Sequence, residues 1–86
     1  MNIENAFAAV LKDLRTQKKI SQENLAFLSG LDRTYISLLE RGKRQPTLTS
    51  LFSISKALDM TLVDLTTALE EKINENQTDQ DFDKHI

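Results

Sequence analysis

Apolar residues recur along this chain at intervals of three and four positions, the spacing that places side chains on one face of an α-helix. Over residues 4–18, the recurring apolar residues are Phe7, Val10, Leu11 and Leu14. Further along the chain, the same spacing is shown by Leu48, Leu51, Ile54 and Leu58. No segment alternates apolar and polar residues over the length of a β-strand. The pattern therefore predicts an all-α fold.

Polar residues that favour helix N-termini, together with two glycines, divide this pattern into five predicted helices. The residues suited to N-caps are Ser21, Asp32, Thr47 and Thr61. Glycine occurs only at positions 30 and 42, where the second and third helices are expected to end. We predict helices over residues 4–18, 22–29 and 33–41, and two more that start after residues 47 and 61, the last one fraying between residues 69 and 76. The side chains that the second and third helices are expected to bury are Leu25, Ala26, Leu28, Ile36 and Leu39.

The chain has 86 residues, of which 40% are hydrophobic, and this suffices for one compact core but not for two domains of ordinary size. We assign residues 1–73 to that domain. Residues 74–86 are polar and acidic, with Phe82 and Ile86 as apolar anchors, and such a composition predicts a disordered tail. The N-terminus lacks the charge order of a secretory signal, and no apolar run reaches membrane-spanning length. We therefore expect a soluble, cytoplasmic protein with no membrane partner.

The charges are segregated along the chain, although the net charge is only −2. Residues 12–45 carry eight basic and four acidic side chains, whereas residues 64–86 carry two basic and seven acidic ones. A basic segment can neutralise phosphates while an acidic segment is held apart from it, because physiological salt screens charges beyond about 8 Å. The net charge therefore does not exclude a nucleic-acid partner.

The inventory of reactive side chains argues against catalysis. The chain has one histidine, His85, and no cysteine, and it lacks a glycine-rich phosphate-binding loop. The carboxylates outside the tail are explained as helix caps or ion-pair partners. We predict no enzyme activity, no catalytic residues, no metal site and no cofactor.

Residues 21–42, with the sequence SQENLAFLSGLDRTYISLLERG, are predicted to form two short helices joined by a tight turn. This is the arrangement of a helix-turn-helix unit, whose second helix enters the major groove of DNA. The unit needs a small residue where the helices approach, a glycine in the turn and an apolar residue that locks the second helix in place. Ala26, Gly30 and Ile36 meet these needs in the expected order.

Over roughly residues 6–69, the sequence resembles the Xre family, the helix-turn-helix domains of Cro and the lambdoid phage repressors. The matching positions are Arg15, residues 21–23, Leu25, Ala26, Gly30, residues 35–37, residues 39–42, residues 46–48 and the apolar positions of residues 51–58. The resemblance implies a compact five-helix, lambda-repressor-like fold, a homodimer on a short two-fold operator in double-stranded DNA, and a role in transcription. The run LDRTYISLLERGKRQPTL is similar to controller proteins of restriction-modification systems, and small phage and plasmid repressors share most of it.

The resemblance also assigns roles to individual residues. The positions that face the groove and read bases are Arg33, Thr34, Tyr35, Ser37 and Leu38. The resemblance implies that Gln22 binds a DNA phosphate, and we expect phosphate contacts also from Lys19 and Ser21 and from the residues that follow the third helix, Arg41, Lys43 and Arg44. Both assignments are physically reasonable, because arginine can pair with two acceptors of guanine and a helix N-terminus favours an anion.

Structural roles remain open as alternatives for several of these residues. Tyr35 can instead pack, half-buried, against the second helix, and Lys19, like Lys18, can be a surface charge near the end of the first helix. The resemblance implies that Arg15 and Glu40 form a partly buried ion pair between the first and third helices rather than contacts with DNA.

A single recognition helix reads only a few base pairs, so two copies on adjacent half-sites are expected. The fifth helix carries more apolar surface than a short helix needs for its own core contacts. We predict that the dimer interface consists of Met60, Leu62, Val63, Leu65 and Leu69. Packing of the same residues in the core of one protomer is the alternative.

The predicted function is that of a sequence-specific, autoregulatory transcriptional regulator, either a restriction-modification controller or a small phage or plasmid repressor. The residues do not distinguish activation from repression, and RNA polymerase is a candidate protein partner. The alternative is an antitoxin or another protein-interaction module, in which the acidic tail folds on a toxin-like partner.

Overall fold

The computed structural model describes residues 2–76, and within this range the chain forms five α-helices and no β-strand. The helices are α1 (Ile3–Gln17), α2 (Gln22–Ser29), α3 (Arg33–Glu40), α4 (Leu48–Ala57) and α5 (Leu62–Asn76). The prediction of an all-α, five-helix fold is confirmed. None of these five helices combines the length and the apolar character that crossing a membrane requires.

Each of the first four helices begins after a residue whose side chain accepts a hydrogen bond from a backbone N–H of the first turn. These N-cap residues are Asn2, Ser21, Asp32 and Thr47. At the start of α5 the bonds are reciprocal: the Asp64 N–H donates to Thr61 Oγ1 (3.0 Å) and the Thr61 N–H donates to the Asp64 carboxylate (3.3 Å). The four caps predicted at residues 21, 32, 47 and 61 are confirmed.

Apolar side chains from all five helices meet in one core. The fully buried ones include Phe7, Leu11, Leu25, Ile36, Leu39, Ile54 and Leu65. Helix α1 packs against α3 and α5, while α2 packs against α3 and α4. The α2–α3 pair is therefore supported by both α1 and α4, and this support fixes the direction in which the outer side of α3 faces.

Two leucines of the apolar pattern lie at the surface. Leu28 is 56% exposed and Leu48, the first residue of α4, is 78% exposed. The buried residues of α2 are Leu25 and Ala26, so the side of the helix that faces the core lies midway between them. Successive residues are about 100° apart around a helix, so Leu28 points more than a quarter of a turn away from that side. The prediction that α2 buries Leu28 is therefore wrong.

Helix α5 continues to Asn76, through the whole range over which fraying was predicted. It packs along α1, and Lys72 Nζ forms an ion pair with Glu75 Oε1 (3.7 Å) in its last turns. Residues 74–76 are therefore helical rather than part of a tail, because packing against α1 adds to a helix propensity that is weak by itself. The rest of the predicted tail, residues 77–86 with Phe82, His85 and Ile86, lies outside the described residues.

Leu65 lies at the centre of the core-facing side of α5 and is completely buried. Its assignment to a dimer interface is therefore wrong, and the core-packing alternative holds for this residue. Met60 and Leu69 are half-buried and pack against the same core, and Leu62 is half-buried as well. Val63 is 71% exposed, because it projects from the opposite side of the first turn of α5.

Candidate DNA-binding surface

Helices α2 and α3 meet at a turn that depends on Gly30. This residue has a φ of 73°, in the left-handed region that glycine adopts without strain. The Leu31 N–H donates to the Ala26 carbonyl (3.0 Å) and closes the last turn of α2. Ala26 and Ile36 are buried within the core that the two helices share. The three residues that the sequence pattern assigned to a helix-turn-helix unit therefore occupy the expected places.

Four of the five residues predicted to read bases share the outer side of α3. Arg33 and Thr34 are exposed in the first turn, and Ser37 and Leu38 are half-buried one turn later. Their spacing places all four within about 140° of the helix circumference. In the described part of the chain, the side chains of Arg33 and Thr34 form no hydrogen bond or ion pair with the protein. The first turn of α3 therefore presents two polar side chains to solvent.

Tyr35, the fifth of these residues, is half-buried and points elsewhere. Its hydroxyl donates to the Gln45 carbonyl (3.3 Å) and lies 3.1 Å from Ser50 Oγ, at the start of α4. The structural alternative was packing, half-buried, against α2: Tyr35 is half-buried and packs against the common core, and its hydroxyl bonds to the chain at the start of α4. Its role as a base reader stays a prediction, but its hydroxyl already has partners within the protein.

The loop over residues 41–46, which we call the basic loop, joins α3 to α4 and carries three exposed cations. These are Arg41, Lys43 and Arg44. The loop is fixed at both ends: the Gln45 side-chain amide donates to Glu4 Oε2 (2.7 Å), and Gly42, with a φ of 71°, lies directly against Asn5. The N-terminal turn of α1 thus holds the loop that carries the three cations.

At the N-terminus of α2, the three residues predicted to bind phosphates differ in their surroundings. Ser21 Oγ accepts the Asn24 N–H (3.0 Å) as the helix cap, whereas Lys19 is exposed and has a φ of 60°. Gln22 Nε2 donates to Glu40 Oε1 (3.1 Å). Gln22 is thus tied to α3, a contact that sequence reasoning did not identify.

Arg15 and Glu40 form the ion pair that the sequence resemblance implied. Arg15 Nε donates to Glu40 Oε2 (2.6 Å) and Nη2 donates to Oε1 (3.0 Å), while Nη1 donates to the Ile20 carbonyl (2.8 Å). The hydrogen bonds from Arg15 to Glu40 raise the pKa of the guanidinium above its usual range, so Arg15 stays charged. The pair connects α1 with α3, and Arg15 also connects it with the turn that precedes α2.

The basic loop and the helices around it also contain contacts that no pattern in the sequence indicated. Ser50 and Glu4 were given no role, yet Ser50 holds Tyr35 and Glu4 holds the basic loop. Both contacts join residues that are distant in sequence and carry no recognisable motif, so composition and spacing contained no signal for them.

A family model described as helix-turn-helix matches residues 11–65 of the chain. The chain belongs to the helix-turn-helix family. The Xre-type resemblance found in the sequence is confirmed, because curated helix-turn-helix relatives match most of this chain. Control protein C.MunI of Mycoplasma sp is 42% identical over 72 residues, which are 83% of this chain and 97% of that protein.

Solved structures of this family have the same fold. The restriction-modification controller protein C.AhdI from Aeromonas hydrophila shares 45% identity over 72% of this chain and 94% of its own, with a TM-score of 0.70. The C.Esp1396I tetramer, solved in complex with its natural 35 base-pair operator, shares 38% identity over 85% of this chain and 96% of its own, with a TM-score of 0.79. The helix-turn-helix chain described here is therefore similar to restriction-modification controller proteins in sequence and in fold.

Proposed function

We propose that this chain is a sequence-specific, double-stranded-DNA-binding transcriptional regulator of the restriction-modification controller type. The observation that carries the proposal is the exposed first turn of α3, with Arg33 and Thr34 unpaired within the described residues, beside a basic loop that α1 holds in place. Similarity to C.AhdI and C.Esp1396I supports it. The proposed activity is binding and regulation, without catalysis or a cofactor.

Base reading is proposed for the outer side of α3. Arg33 can make a bidentate pair with guanine O6 and N7, and Thr34 can contact a base edge or a thymine methyl group. Ser37 and Leu38 complete the surface one turn later. The residues that would bind phosphates are Lys19, Ser21, Gln22, Arg41, Lys43 and Arg44, and these contacts would supply affinity and register rather than sequence preference.

The regulator is proposed to bind as a two-fold dimer. Since Leu65 belongs to the core, the interface must use apolar side chains that one protomer leaves exposed. Val63 of the predicted interface is one, and Leu48 and Phe52, which share one side of α4, are two others. Met60, Leu62 and Leu69 would contribute their exposed parts. We expect such a dimer to bind half-sites about one helical turn of DNA apart.

We propose that the regulator controls its own gene and that two dimers bind side by side at tandem sites; the C.Esp1396I tetramer in complex with its natural operator supports this by similarity. A regulator bound at a promoter also meets RNA polymerase, which is the protein partner that the proposal includes. The alternative is a toxin-like partner that binds the acidic C-terminal residues 74–86. The proposed site of action is the cytoplasm.

Selection from randomised duplex DNA tests the proposal. The purified full chain is incubated with the library at about physiological salt, and the enriched duplexes and the stoichiometry of their complex are determined. Enrichment of a two-fold symmetric site that binds two chains, or four chains on paired sites, is expected. Recovery of duplexes without a shared sequence would contradict the proposal.

A further inference from the structure

The carboxylate of Glu40, the last residue of α3, accepts hydrogen bonds from two other helices. Arg15 of α1 donates two of them, at 2.6 Å to Oε2 and 3.0 Å to Oε1. Gln22, the first residue of α2, donates the third from Nε2 to Oε1 (3.1 Å). The Glu40 side chain is only 3% exposed, so these bonds are shielded from bulk water.

The chemistry of the carboxylate fixes the orientation of the Gln22 amide. An ionised carboxylate only accepts hydrogen bonds, so Gln22 must turn its NH2 group toward Glu40 and its carbonyl oxygen away. The amide nitrogen carries two hydrogens, and Glu40 uses one of them. The second N–H remains available, and Gln22 is the first residue of α2, at the end of the helix where the dipole favours an anion.

Arg15 makes this arrangement compatible with a nearby phosphate. An unpaired carboxylate would repel the phosphate, but the guanidinium contacts both oxygens of Glu40 and neutralises its charge. The Arg15 side chain is itself held by the Ile20 carbonyl (2.8 Å), so the pair is fixed in place. The network therefore supplies an oriented donor and no net charge.

We propose that Glu40 is a positioning residue for DNA binding, which holds the Gln22 amide with its second N–H directed at a backbone phosphate. The inference rests on the proposed DNA-binding function and gives Glu40 a role beyond its ion pair with Arg15. Without Glu40, the Gln22 side chain would sample several rotamers and both amide orientations. The cost of ordering it would then reduce the affinity for DNA.

A double-mutant cycle on the full chain, with the duplex enriched from the randomised library, tests this role. Gln22→Ala is expected to weaken binding about tenfold, the loss of one hydrogen bond to a charged group. The slope of affinity against salt should not change, because glutamine is neutral and releases no counterion. Glu40→Gln should weaken binding by a similar factor, and the double variant by no further factor.

The control for this cycle is Gln17→Ala, which removes an exposed glutamine from α1 and should leave the affinity unchanged. All measurements are made well below the thermal unfolding midpoint of each variant. Glu40→Gln should lower the stability by the same amount in the unmodified chain and in the Gln22→Ala variant. Effects on affinity that multiply in the double variant would overturn the positioning role, since a purely structural Glu40 would act independently of Gln22.

A second measurement avoids replacing Glu40. In the unmodified chain without DNA, the order parameter of the Gln22 side-chain amide, obtained from nitrogen-15 relaxation, should exceed that of Gln17. Equally low values for both would overturn the positioning role while leaving DNA binding intact. If the unmodified chain enriched no duplex, the proposed function would fail and the role of Glu40 with it.

Discussion

Arg44 lies over the aromatic ring of Tyr35, with its guanidinium carbon 5.9 Å from the ring centre. A cation over an aromatic face is attracted by the ring electrons, so α3 directly supports a side chain of the basic loop. The Tyr35 hydroxyl extends this connection to Gln45 and to Ser50. Tyr35 thus links α3, the basic loop and α4.

Tyr35→Phe should separate the hydroxyl from the ring. The ring stays over Arg44, while the hydrogen bonds to Gln45 and Ser50 are removed. We expect the free energy of unfolding to fall by about 1 kcal/mol, as measured by chemical denaturation, because a part-buried hydrogen bond is removed. The base preference in the duplex selection should stay the same. A weaker preference at one base pair would show instead that the hydroxyl reads a base.

Arg33→Ala should relax base discrimination without affecting stability. Because Arg33 is exposed, its removal leaves the core and the caps unchanged. A repeated duplex selection should show lower preference at one base pair of each half-site, equivalent to about 1–3 kcal/mol. An unchanged preference would contradict the assignment of Arg33 as a reader.

Arg44→Ala should weaken binding to all duplexes by a similar factor. A cation that binds a phosphate releases counterions, so the slope of log affinity against log salt should decrease by about 0.9 for each phosphate that the variant no longer neutralises. Lys12→Ala is the matched control, since Lys12 is an exposed cation of α1 outside the proposed surface. Equal changes in slope for the two variants would indicate a general effect of net charge and not a specific interaction.

Val63→Glu should produce a folded monomer. The side chain is exposed in one protomer, so a charge there disturbs the proposed interface and not the core. Sedimentation should show single chains with a helical content like that of the unmodified protein, and operator affinity should fall. Leu65→Ala should behave differently and lower the free energy of unfolding by about 2–5 kcal/mol, because it leaves a cavity in the core. A dimeric Val63→Glu protein would place the interface elsewhere.

Gly42→Ala should cost more stability than Gly30→Ala. Both glycines have a positive φ, of 71° and 73°, so alanine at either position costs about 1–2 kcal/mol. At Gly42 the added methyl group would also collide with the Asn5 side chain, whereas at Gly30 it would meet open space. Unfolding in denaturant measures the difference. Equal losses of stability would mean that Asn5 moves aside without cost and does not hold the basic loop.

Local signals account for most of what the sequence predicted correctly. Ser21, Asp32 and Thr47 cap helices through bonds to N–H groups two or three residues away, so the residues that form each cap are close in sequence. The turn at Gly30 is local in the same way. The Arg15–Glu40 pair spans 25 positions, and it was predicted only because a family resemblance implied it.

Contacts that depend on how helices cross escaped prediction. The bond between Gln45 and Glu4 spans 41 positions, and that between Tyr35 and Ser50 spans 15. Their formation depends on the angles at which α1, α3 and α4 pack, which periodicity does not specify. Likewise, the first turns of α5 carry apolar residues on more than one side of the helix. The spacing of these residues therefore did not show that Leu65 faces the core while Val63 faces outward.

The isolation of Arg33 and Thr34 from the rest of the protein has an evolutionary consequence. Their side chains add nothing to the core, and the Asp32 cap, which bonds the Thr34 backbone N–H (3.1 Å), does not depend on which side chains follow it. Given the base-reading role proposed for them, descendants of such a regulator could exchange these two side chains and acquire new target sites while their folding stability stays nearly constant. The same independence makes the first turn of α3 the natural place to randomise when the protein is to be redirected to a chosen DNA sequence.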